Sequence, residues 1–295
     1  MDSQETDEVI SDQGPKWRTY FCASTFQVPH MDDLKEQCTS EKKIVEWAGV
    51  SIARISPTVA VKFGPRVTVT EAKSMIYVAQ NSAKIPVPEV FACGTYGPIN
   101  RDIGDYGSLF DTYIFMTFVD GQPLDTVWNS YDQPTKTHLA LQLKEYIDDL
   151  RSMGTPSYIG SLDHGPVLDP ILATAKVQGP FSSEKDFNET MVKTYQSKAP
   201  RQHITKFLRG MIGHQEHRIL FTHGDLGPQN IMVKDGNVTG IIDWEFSGWY
   251  PEYWESAKAL NVWRWQNDWG DYLIDILQPY YPEYAFYSFL SKVLW

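Results

Sequence analysis

The chain has few cysteines for its length. Cys22, Cys38 and Cys93 are the three cysteines among 295 residues, and they lie far apart. Disulfide frameworks and zinc sites use cysteines in larger sets at defined spacings, so neither is expected here. We therefore expect reduced thiols, as in proteins of a reducing compartment.

Clustered positive charge and long apolar runs are also missing. The net charge is −11 and no group of lysines and arginines offsets it, which argues against nucleic acid as a partner. No stretch approaches the roughly 18 consecutive apolar residues that would span a membrane. The N-terminal sequence MDSQETDEVISDQG is acidic and lacks the basic and apolar regions of a signal peptide. These features predict a cytoplasmic protein without a membrane partner.

The apolar content is sufficient for a sizeable core, at 42% hydrophobic and 14% aromatic residues. The length suits one large domain or two modest ones. Residues 1–15 are polar enough to be disordered. Residues 16–119 are β-rich with one main helix, and residues 120–295 are mainly helical. We predict an α+β protein with an N-lobe and a C-lobe over these two ranges, joined at a linker that begins with Asp120-Gly121-Gln122-Pro123.

Apolar periodicity and turn residues predict the individual elements. The predicted strands are Val50–Ile55, Thr58–Phe63, Glu89–Gly94 and Tyr113–Val119. The predicted helices are one or two short ones within 31–48, one at Glu71–Ser82 capped by Thr70, and those at 135–152, 184–197, 201–214, 252–266 and 283–293. The polar segment Thr95–Gly107 is expected to be a surface loop.

One segment, Phe221–Glu245, concentrates the residues that suggest chemistry. It reads FTHGDLGPQNIMVKDGNVTGIIDWE and places His223, Asp225 and Asn230 in the pattern H-x-D-x-x-x-x-N, with Asp243 further on. Phosphoryl transfer needs a carboxylate that orients a hydroxyl and oxygen ligands that hold Mg²⁺. Each of these residues alone is common in turns and caps. Their combination at this spacing favours a phosphotransfer site, with His223 bracing the loop.

A β-hairpin is predicted inside this segment because Asp235-Gly236 lies between two apolar runs. If these two residues form the turn, Asn230 falls opposite Ile241. Asp243 then lies two residues further along the same strand and on the same face. Asn230 and Asp243 would be diagonal neighbours about 7 Å apart, which is close enough for both to hold one Mg²⁺.

A lysine lies within an apolar strand of the N-lobe. The sequence TVAVKFG places Lys62 between Val61 and Phe63, and a lysine buried there needs a partner or a ligand. Glu71 in the next predicted helix is a natural counter-charge. In phosphotransferases, a strand lysine braced by a helix glutamate holds the nucleotide phosphates. The alternative is that Lys62 points outward from a half-exposed strand.

With these motifs, the chain resembles the aminoglycoside phosphotransferase and choline kinase family, which has a protein-kinase-like fold. The resemblance covers roughly residues 45–265. The chain looks most like fungal members of the family, in which the last motif also continues as WEFSGWYPEYWE. Its motifs are VAVK ending at Lys62, Glu71, IFMTFVDG at 114–121, HGDLGPQN at 223–230 and IIDWE at 241–245. It implies a small antiparallel-sheet N-lobe with one main helix and a larger, mainly helical C-lobe that carries a catalytic hairpin.

The resemblance also implies roles for individual residues, together with ATP (or another nucleoside triphosphate) and Mg²⁺ as cofactors. Asp225 would be the catalytic base, and Asn230 and Asp243 would hold Mg²⁺. Lys62 would contact the nucleotide phosphates and pair with Glu71. The segment Met116–Val119 would be the hinge that meets the adenine, and the hinge residues assigned to nucleotide binding are Met116, Thr117 and Val119.

The family's glycine-rich phosphate loop has no counterpart here. No G-x-G-x-x-G precedes Lys62, and the corresponding turn is Arg54-Ile55-Ser56-Pro57-Thr58. Phosphate contacts would then come from backbone N–H groups of this turn or from the hydroxyls of Ser56 and Thr58. Pro57 removes one such N–H donor.

Acidic and aromatic residues follow Asp243 in a dense run, from which Glu245, Trp249, Trp254 and Glu255 are candidate substrate contacts. Acids and tryptophan faces suit an amine through ion pairing and cation–π contacts. The alternative is that the tryptophans fill the C-terminal core.

These features predict an ATP-dependent phosphotransferase that modifies a hydroxyl of a small molecule, with amine-bearing molecules as one class of acceptor. A protein kinase is the first alternative, and it is disfavoured because no activation segment or A-P-E motif follows Asp243. The second alternative is a non-catalytic nucleotide- or ligand-binding protein of the same fold. The acceptor and the oligomeric state stay open.

Overall fold

The computed structural model describes residues 14–39, 41–199, 201–212, 216–261 and 267–294. By their contacts they form two compact units. The first runs to Val67 and resumes at Phe91–Phe115, and the second comprises Thr68–Val90 and the chain from Met116 onward. The division at residues 119 and 120 expected from the sequence stays a prediction, since residues 68–90 group by their contacts with the second unit.

The strands within the described residues are β1 (Lys16–Cys22), β2 (Lys43–Trp47), β3 (Val50–Arg54), β4 (Val59–Gly64), β5 (Val90–Gly97), β6 (Asp111–Thr117), β7 (Gln122–Pro123), β8 (Ile219–Thr222), β9 (Ile231–Lys234), β10 (Asn237–Ile241) and β11 (Gly248–Pro251). The α-helices are α1 (Met31–Gln37), α2 (Val69–Asn81), α3 (Ile103–Tyr106), α4 (Leu124–Val127), α5 (Gln133–Arg151), α6 (Glu184–Lys198), α7 (Gln202–Met211), α8 (Trp254–Ala259), α9 (Trp269–Ile276) and α10 (Tyr281–Leu294). Short 3-10 turns complete the fold, including Pro228–Asn230. No helix among the described residues is both long and apolar enough to cross a membrane.

The first unit is built on a six-stranded sheet in the order β1-β5-β6-β4-β3-β2. Antiparallel pairing joins β1 to β5, β2 to β3 and β3 to β4. Helix α1 contributes Met31 and Leu34 to a core that includes Val61 and Phe115 from the sheet. The turn between β2 and β3 has positive φ at Ala48 and Gly49, the conformation of a two-residue hairpin turn.

The second unit is mainly helical, as the sequence predicts, and contains two small sheets. One has the order β10-β9-β7, and the other pairs β11 with β8. One of its hydrophobic clusters is formed by residues of α6, α7, α8 and α10 together with aromatic residues such as Tyr250 and Trp254. Helix α5 buries Leu139, Leu143 and Ile147 along one face, at the spacing that predicts the helix. The mixed α+β fold class is confirmed.

The hairpin β9–β10 is confirmed, but its predicted register is wrong. Asp235 and Gly236 form the turn with φ of 50° and 74°. A β-bulge at Thr239 then shifts the pairing by one residue. Ile241 therefore lies opposite Ile231 and not opposite Asn230. The backbone N–H of Ile242 donates to the Asn230 carbonyl instead, at 2.9 Å.

Other elements differ from the prediction in their bounds or type. Helix α2 is capped by Thr68, whose hydroxyl accepts the N–H of Glu71, and not by Thr70. Part of the range 31–48 forms strand β2, whose sequence KIVEW contains the β-branched residues Ile44 and Val45 and the aromatic Trp47. Such residues favour strands. The expected loop at 95–107 contains the end of β5 and the short helix α3, and the expected linker contains β7.

The sequence did not predict strands β1, β8 and β11 or helix α9. The helix predicted at 252–266 is α8, and residues 262–266 lie outside the described residues, as do residues 1–13 of the expected disordered segment. Likewise, the helix predicted at 201–214 is α7, which ends at Met211, and residues 213 and 214 are not described.

Candidate active site

The loop that carries Asp225 begins directly after strand β8. Gly224 has φ of 81°, a left-handed conformation that favours glycine. A Cβ atom at this position would lie 2.5 Å from the carbonyl oxygen of Phe246. The close approach of these two backbone segments therefore requires glycine before Asp225.

His223 is fully buried and bonded at both ring nitrogens. Its Nε2 lies 3.0 Å from the carbonyl oxygen of Ile242, and its Nδ1 lies 3.2 Å from the backbone nitrogen of Asp225. A carbonyl only accepts and an N–H only donates, so the neutral tautomer with hydrogen on Nε2 satisfies both bonds. The ring also packs on Trp244 at a centroid distance of 4.5 Å. The expectation that His223 braces the loop is consistent with these bonds.

A buried carboxylate anchors the same loop from helix α8. Glu255 Oε2 accepts the backbone N–H of His223 at 2.7 Å, and Oε1 accepts the N–H of Gly224 at 3.2 Å. Only 3% of Glu255 is exposed. Hydrogen bonds from N–H groups to an ionised carboxylate are stronger than neutral ones, and they offset part of the cost of burying the charge.

Asn230 holds the Asp225 carboxylate. Its Nδ2 donates to Asp225 Oδ2 at 2.9 Å and to the Asp225 carbonyl at 2.8 Å. The 3-10 turn that ends at Asn230 is closed by a bond from its N–H to the Gly227 carbonyl at 2.9 Å. Asp225 is partly exposed, whereas Asn230 is buried. One oxygen of the Asp225 carboxylate is thereby fixed in direction.

Three carboxylates meet at the end of the hairpin. Asp243 follows β10 and has φ of 66°, an uncommon value for a residue with a Cβ atom. One carboxylate oxygen each from Glu71, Asp243 and Glu245 lies within 4.8 Å of the others. Glu71 comes from the first turn of α2, so the cluster joins this helix to the hairpin within the second unit. The donor set consists of hard oxygen ligands, which suit Mg²⁺.

Lys62 is buried on β4, with 4% of the residue exposed. The alternative that it points outward from a half-exposed strand is therefore wrong. Ala60 and Val61 on the same strand are buried as well. Strand β4 lies inside the sheet, between β6 and β3. Lys62 and Glu71 belong to different compact units, and their pairing stays a prediction.

The turn that stands in place of the glycine-rich loop is held by its own side chains. Ser56 Oγ accepts the N–H of Thr58 at 3.2 Å and the N–H of Val59 at 3.0 Å. The Arg54 guanidinium donates to the carbonyls of Ser56 and Pro57 at 3.2 Å and 2.7 Å. The Thr58 and Val59 amides are thus already bonded, whereas the Thr58 side chain is exposed.

The predicted hinge, Met116–Val119, begins with the last two residues of β6. The N–H of Thr117 donates to the Glu89 carbonyl at 2.9 Å, so this amide is already bonded within the protein. Met116 is buried, and Val119 packs against Gly240, where a Cβ atom would lie 2.6 Å from Val119 Cγ1. Gly240 therefore lets the hairpin approach the hinge segment closely.

The four residues proposed for substrate binding fall into two groups. Trp249, Trp254 and Glu255 are buried, with exposed fractions of 7%, 1% and 3%. Trp254 stacks on Tyr250 at 5.4 Å inside the helical core, and the Glu255 carboxylate is occupied by the loop. These three side chains are packing and bracing groups in the structure, which favours the core-packing alternative. Glu245 instead belongs to the carboxylate cluster.

Sequence reasoning missed two contacts that the structure shows. The hydrogen bonds from the loop to Glu255 had no local signal, because they depend on the packing of α8 against a loop far earlier in the chain. The place of Glu245 beside Asp243 had none either, because the left-handed φ of 66° at Asp243 interrupts the alternation of an extended segment. The T-x-x-E pattern at Thr68 to Glu71, a helix-start signature, does mark the observed cap.

Solved structures with the same fold include aminoglycoside phosphotransferases. The ADP-bound structure of aminoglycoside phosphotransferase APH(2'')-Ib aligns with a TM-score of 0.57 at 12% identity over 90% of this chain and 89% of that chain. Aminoglycoside-3'-phosphotransferase of type VIII aligns with a TM-score of 0.54 at 17% identity over 89% and 98% of the two chains. At such identities the likeness shows the fold alone, a protein-kinase-like one.

The family model described as the phosphotransferase enzyme family matches residues 54–290. The chain therefore belongs to this family. Among curated proteins, it is similar to an aminoglycoside 3'-phosphotransferase of Enterococcus faecalis, at 44% identity over 46 residues. That match spans 16% of this chain and 17% of the relative's length. The particular likeness to fungal members stays a prediction.

Proposed function

We propose that the protein is an ATP-dependent phosphotransferase that moves the γ-phosphate to a hydroxyl of a small molecule. The observation that carries this proposal is the Asp225 loop. Its backbone is held by Glu255 and His223, and its carboxylate is held by Asn230, in a chain that belongs to a phosphotransferase family. Such bracing favours catalysis, because a catalytic group must keep its orientation when the substrate binds.

Asp225 is the proposed catalytic base. Asn230 directs one oxygen of its carboxylate, and the residue remains partly exposed, which a group that meets an acceptor hydroxyl requires. In phosphoryl transfer, an aspartate of this kind orients the hydroxyl and accepts its proton. The hydroxyl oxygen then forms the new P–O bond as the bond between the γ-phosphorus and the leaving nucleoside diphosphate oxygen breaks.

The proposed Mg²⁺ ligands are Asn230 and Asp243, and Glu245 is a further candidate because it lies in the same carboxylate cluster. The cluster supports the fit, because carboxylate oxygens are hard ligands of the kind that Mg²⁺ takes. Bound Mg²⁺ would neutralise charge on the nucleotide phosphates. These residues would hold the cation at the end of the hairpin.

Nucleotide binding is proposed for Lys62, for the hinge and for the Ser56–Thr58 turn. The place of Lys62 in the VAVK motif, on a buried strand position, supports a role in binding phosphate. Because the Thr117 amide is bonded to Glu89, the hinge would contact the base through Met116 and Val119. The hydroxyls of Ser56 and Thr58 are the proposed phosphate donors of the turn. The nucleotide is ATP or another nucleoside triphosphate, and related structures are complexes with ADP and GDP.

The acceptor is proposed to be a small molecule with a hydroxyl group. The solved relatives include complexes with the aminoglycosides streptomycin and hygromycin B, which carry hydroxyls and amines. The burial of Trp249 and Trp254 removes the aromatic contacts that favoured an amine from the sequence alone. We therefore propose that a hydroxyl group defines the acceptor, and we do not propose an amine as a required group.

The proposal is tested by nucleotide binding followed by a search for the acceptor. Calorimetry with Mg²⁺ and ATP should show binding to the wild type and a strongly weakened interaction with Asp243→Ala. Labelled ATP is then offered with panels of alcohols, amino sugars, choline-like amines and peptides. A wild type without measurable nucleotide binding would refute the phosphotransferase, and transfer to peptides alone would identify a protein kinase instead.

A further inference from the structure

A buried ion pair lies one helical turn from the side chain that holds the catalytic loop. Lys258 on α8 donates to the carboxylate of Asp169 at 2.5 Å, and these two side chains are only 9% and 1% exposed. Charges that are buried to this degree are costly unless they are paired. The reaction proposed above uses neither residue.

The Asp169 carboxylate is fixed by the chain around it. Its other oxygen, Oδ1, accepts the N–H of Ile171 at 2.9 Å and thereby caps the 3-10 turn Pro170–Leu172. Ile171 and Leu172 are buried in the hydrophobic cluster that also contains Trp254 of α8. Asp169 therefore offers Lys258 an anchor that is held by a capped turn and by a packed core.

Lys258 is connected to the catalytic loop through Phe246. Its Nζ lies 4.9 Å from the centroid of the Phe246 ring, which is within the range of a cation–π contact. Phe246 lies against Gly224, since a Cβ atom at Gly224 would lie 2.5 Å from the Phe246 carbonyl oxygen and 3.2 Å from its Cβ. The ammonium thus lies over the ring of the residue that contacts the backbone directly before Asp225.

The same helix is connected to the loop through Glu255. Glu255 lies three residues before Lys258, so the two side chains project from the same side of α8. The Glu255 carboxylate accepts the N–H groups of His223 and Gly224. A shift or rotation of α8 would change these two distances, and the bond from Lys258 to Asp169 opposes such a movement.

We infer that Lys258 and Asp169 are positioning residues for the catalytic loop. Their ion pair holds α8 where Glu255 can bond both loop amides, and it keeps the Lys258 ammonium over Phe246. The pair acts through Glu255 and Phe246 and not on the substrate. The consequence for catalysis rests on the proposed role of Asp225 as the base, whereas the consequence for the loop itself does not.

Amide hydrogen exchange of the full chain measures this effect without a substrate, because an amide exchanges when its hydrogen bond opens. Lys258→Met leaves the Asp169 charge buried without its partner and should lower Tm by about 10 °C. Adding Asp169→Asn removes the second charge, retains an oxygen for the Ile171 N–H and should restore Tm. In both variants, the amides of His223 and Gly224 should still exchange about 10-fold faster than in the wild type.

The matched control removes another ion pair of the second unit. Arg209 on α7 pairs with Glu189 on α6 at 2.6 Å. Arg209→Met with Glu189→Gln should leave the exchange of the two loop amides unchanged, because neither residue bonds the loop or α8.

An internal reference separates the positioning effect from a general loss of stability. The amide of Leu143, on the buried face of α5, serves this purpose. If the double variant at Lys258 and Asp169 were less stable than expected, faster exchange at His223 and Gly224 relative to Leu143 would still support the inference. Equal acceleration of all three amides would overturn it, and so would wild-type exchange of the two loop amides.

Kinetics extend the test once an acceptor is known. The double variant should have a kcat about 10-fold below that of the wild type and an unchanged KM for ATP, because the orientation of Asp225 is affected and nucleotide binding is not. Faster loop exchange in a protein that transfers phosphate to no acceptor would refute the phosphotransferase and support the positioning role. Unchanged loop exchange in an active enzyme would overturn the positioning role alone.

Discussion

The carboxylate of Glu255 accepts the backbone N–H of His223 at 2.7 Å, and this bond links helix α8 to the loop that carries Asp225. The same carboxylate accepts the N–H of Gly224. A buried acid thus holds two consecutive amides directly before the proposed base. The loop is therefore positioned by a buried side chain, and the effects of replacing this side chain on activity and on stability can be measured separately.

Glu255→Gln should lower both stability and turnover. The amide side chain offers one acceptor oxygen where the carboxylate offers two, so one backbone N–H loses its partner. An unsatisfied buried donor costs about 1–3 kcal/mol of unfolding free energy. We expect a loss in this range by urea denaturation and a fall in kcat of about 10-fold, because Asp225 is less well oriented.

The matched control is Glu252→Gln, which changes an acid three residues earlier. Glu252 pairs with Arg218 at 2.8 Å, and the arginine is 69% exposed. Because the Glu252 side chain is itself only 14% exposed, its loss should also lower stability, but it bonds Arg218 and not the catalytic loop, so kcat should stay unchanged. Equal effects of the two substitutions on kcat would show that Glu255 has no special relation to the loop.

Asp225→Asn should reduce turnover without weakening nucleotide binding. The asparagine retains an oxygen that accepts the Asn230 bond but is not a base for the acceptor hydroxyl. General-base catalysis contributes about 10²- to 10⁴-fold, so kcat should fall by that factor. Calorimetric affinity for ATP should stay near that of the wild type. A parallel loss of ATP affinity would assign Asp225 to nucleotide binding and not to the acceptor.

The carboxylate cluster and its hairpin show how far sequence could predict the site. The Asp-Gly turn and the hairpin follow from local patterns, whereas the approach of Glu71 on α2 to Asp243 and Glu245 does not. The register did not follow, since the bulge at Thr239 adds a residue. Gly240 was the available signal, because glycine inside a strand often marks a bulge. The absence of a side chain at Gly240 also allows Val119 to pack against the hairpin. This contact joins segments that are far apart in sequence, so no local pattern predicts it.

The remaining errors have the same physical origin. Trp254 and Glu255 looked like substrate contacts because acids and aromatic residues near a catalytic motif suit an amine. Their actual partners, Tyr250 and the His223 backbone, are fixed by how α8 packs. Burial depends on tertiary contacts, so composition alone could not separate a binding surface from a core.

Gly224→Ala should destabilise the protein and reduce activity. The new Cβ would lie 2.5 Å from the Phe246 carbonyl at a backbone φ of 81°. Where the native conformation is incompatible with alanine, the loss exceeds about 1 kcal/mol, and here the strain falls next to Asp225. Thermal unfolding and initial rates measure the two effects.

Gly210→Ala serves as its control. A Cβ at this position on α7 meets no atom within 4 Å, and the helix should gain about 0.5–1 kcal/mol. If Gly224→Ala proved as harmless as Gly210→Ala, the contact with Phe246 would not constrain the loop.

Trp254→Phe should lower stability and leave acceptor binding unchanged. The indole stacks on Tyr250 at 5.4 Å and meets Phe187 at 5.0 Å within the helical core. A smaller ring leaves a cavity, and core changes of this kind cost about 1–3 kcal/mol. The KM for the acceptor, once it is known, should equal that of the wild type. A severalfold rise in this KM, in a variant that is still folded, would restore Trp254 as a substrate contact.

Glu245→Gln should change the dependence of activity on Mg²⁺. One carboxylate oxygen of Glu245 lies within 4.8 Å of those of Asp243 and Glu71, and an amide binds a divalent cation less strongly than a charged carboxylate. We expect the Mg²⁺ concentration for half-maximal activity to rise about 10-fold, with the acceptor KM unchanged. Titrating Mg²⁺ at saturating ATP and acceptor measures the first quantity. If the acceptor KM rose while the Mg²⁺ requirement stayed constant, Glu245 would belong to the acceptor site, as the sequence first suggested.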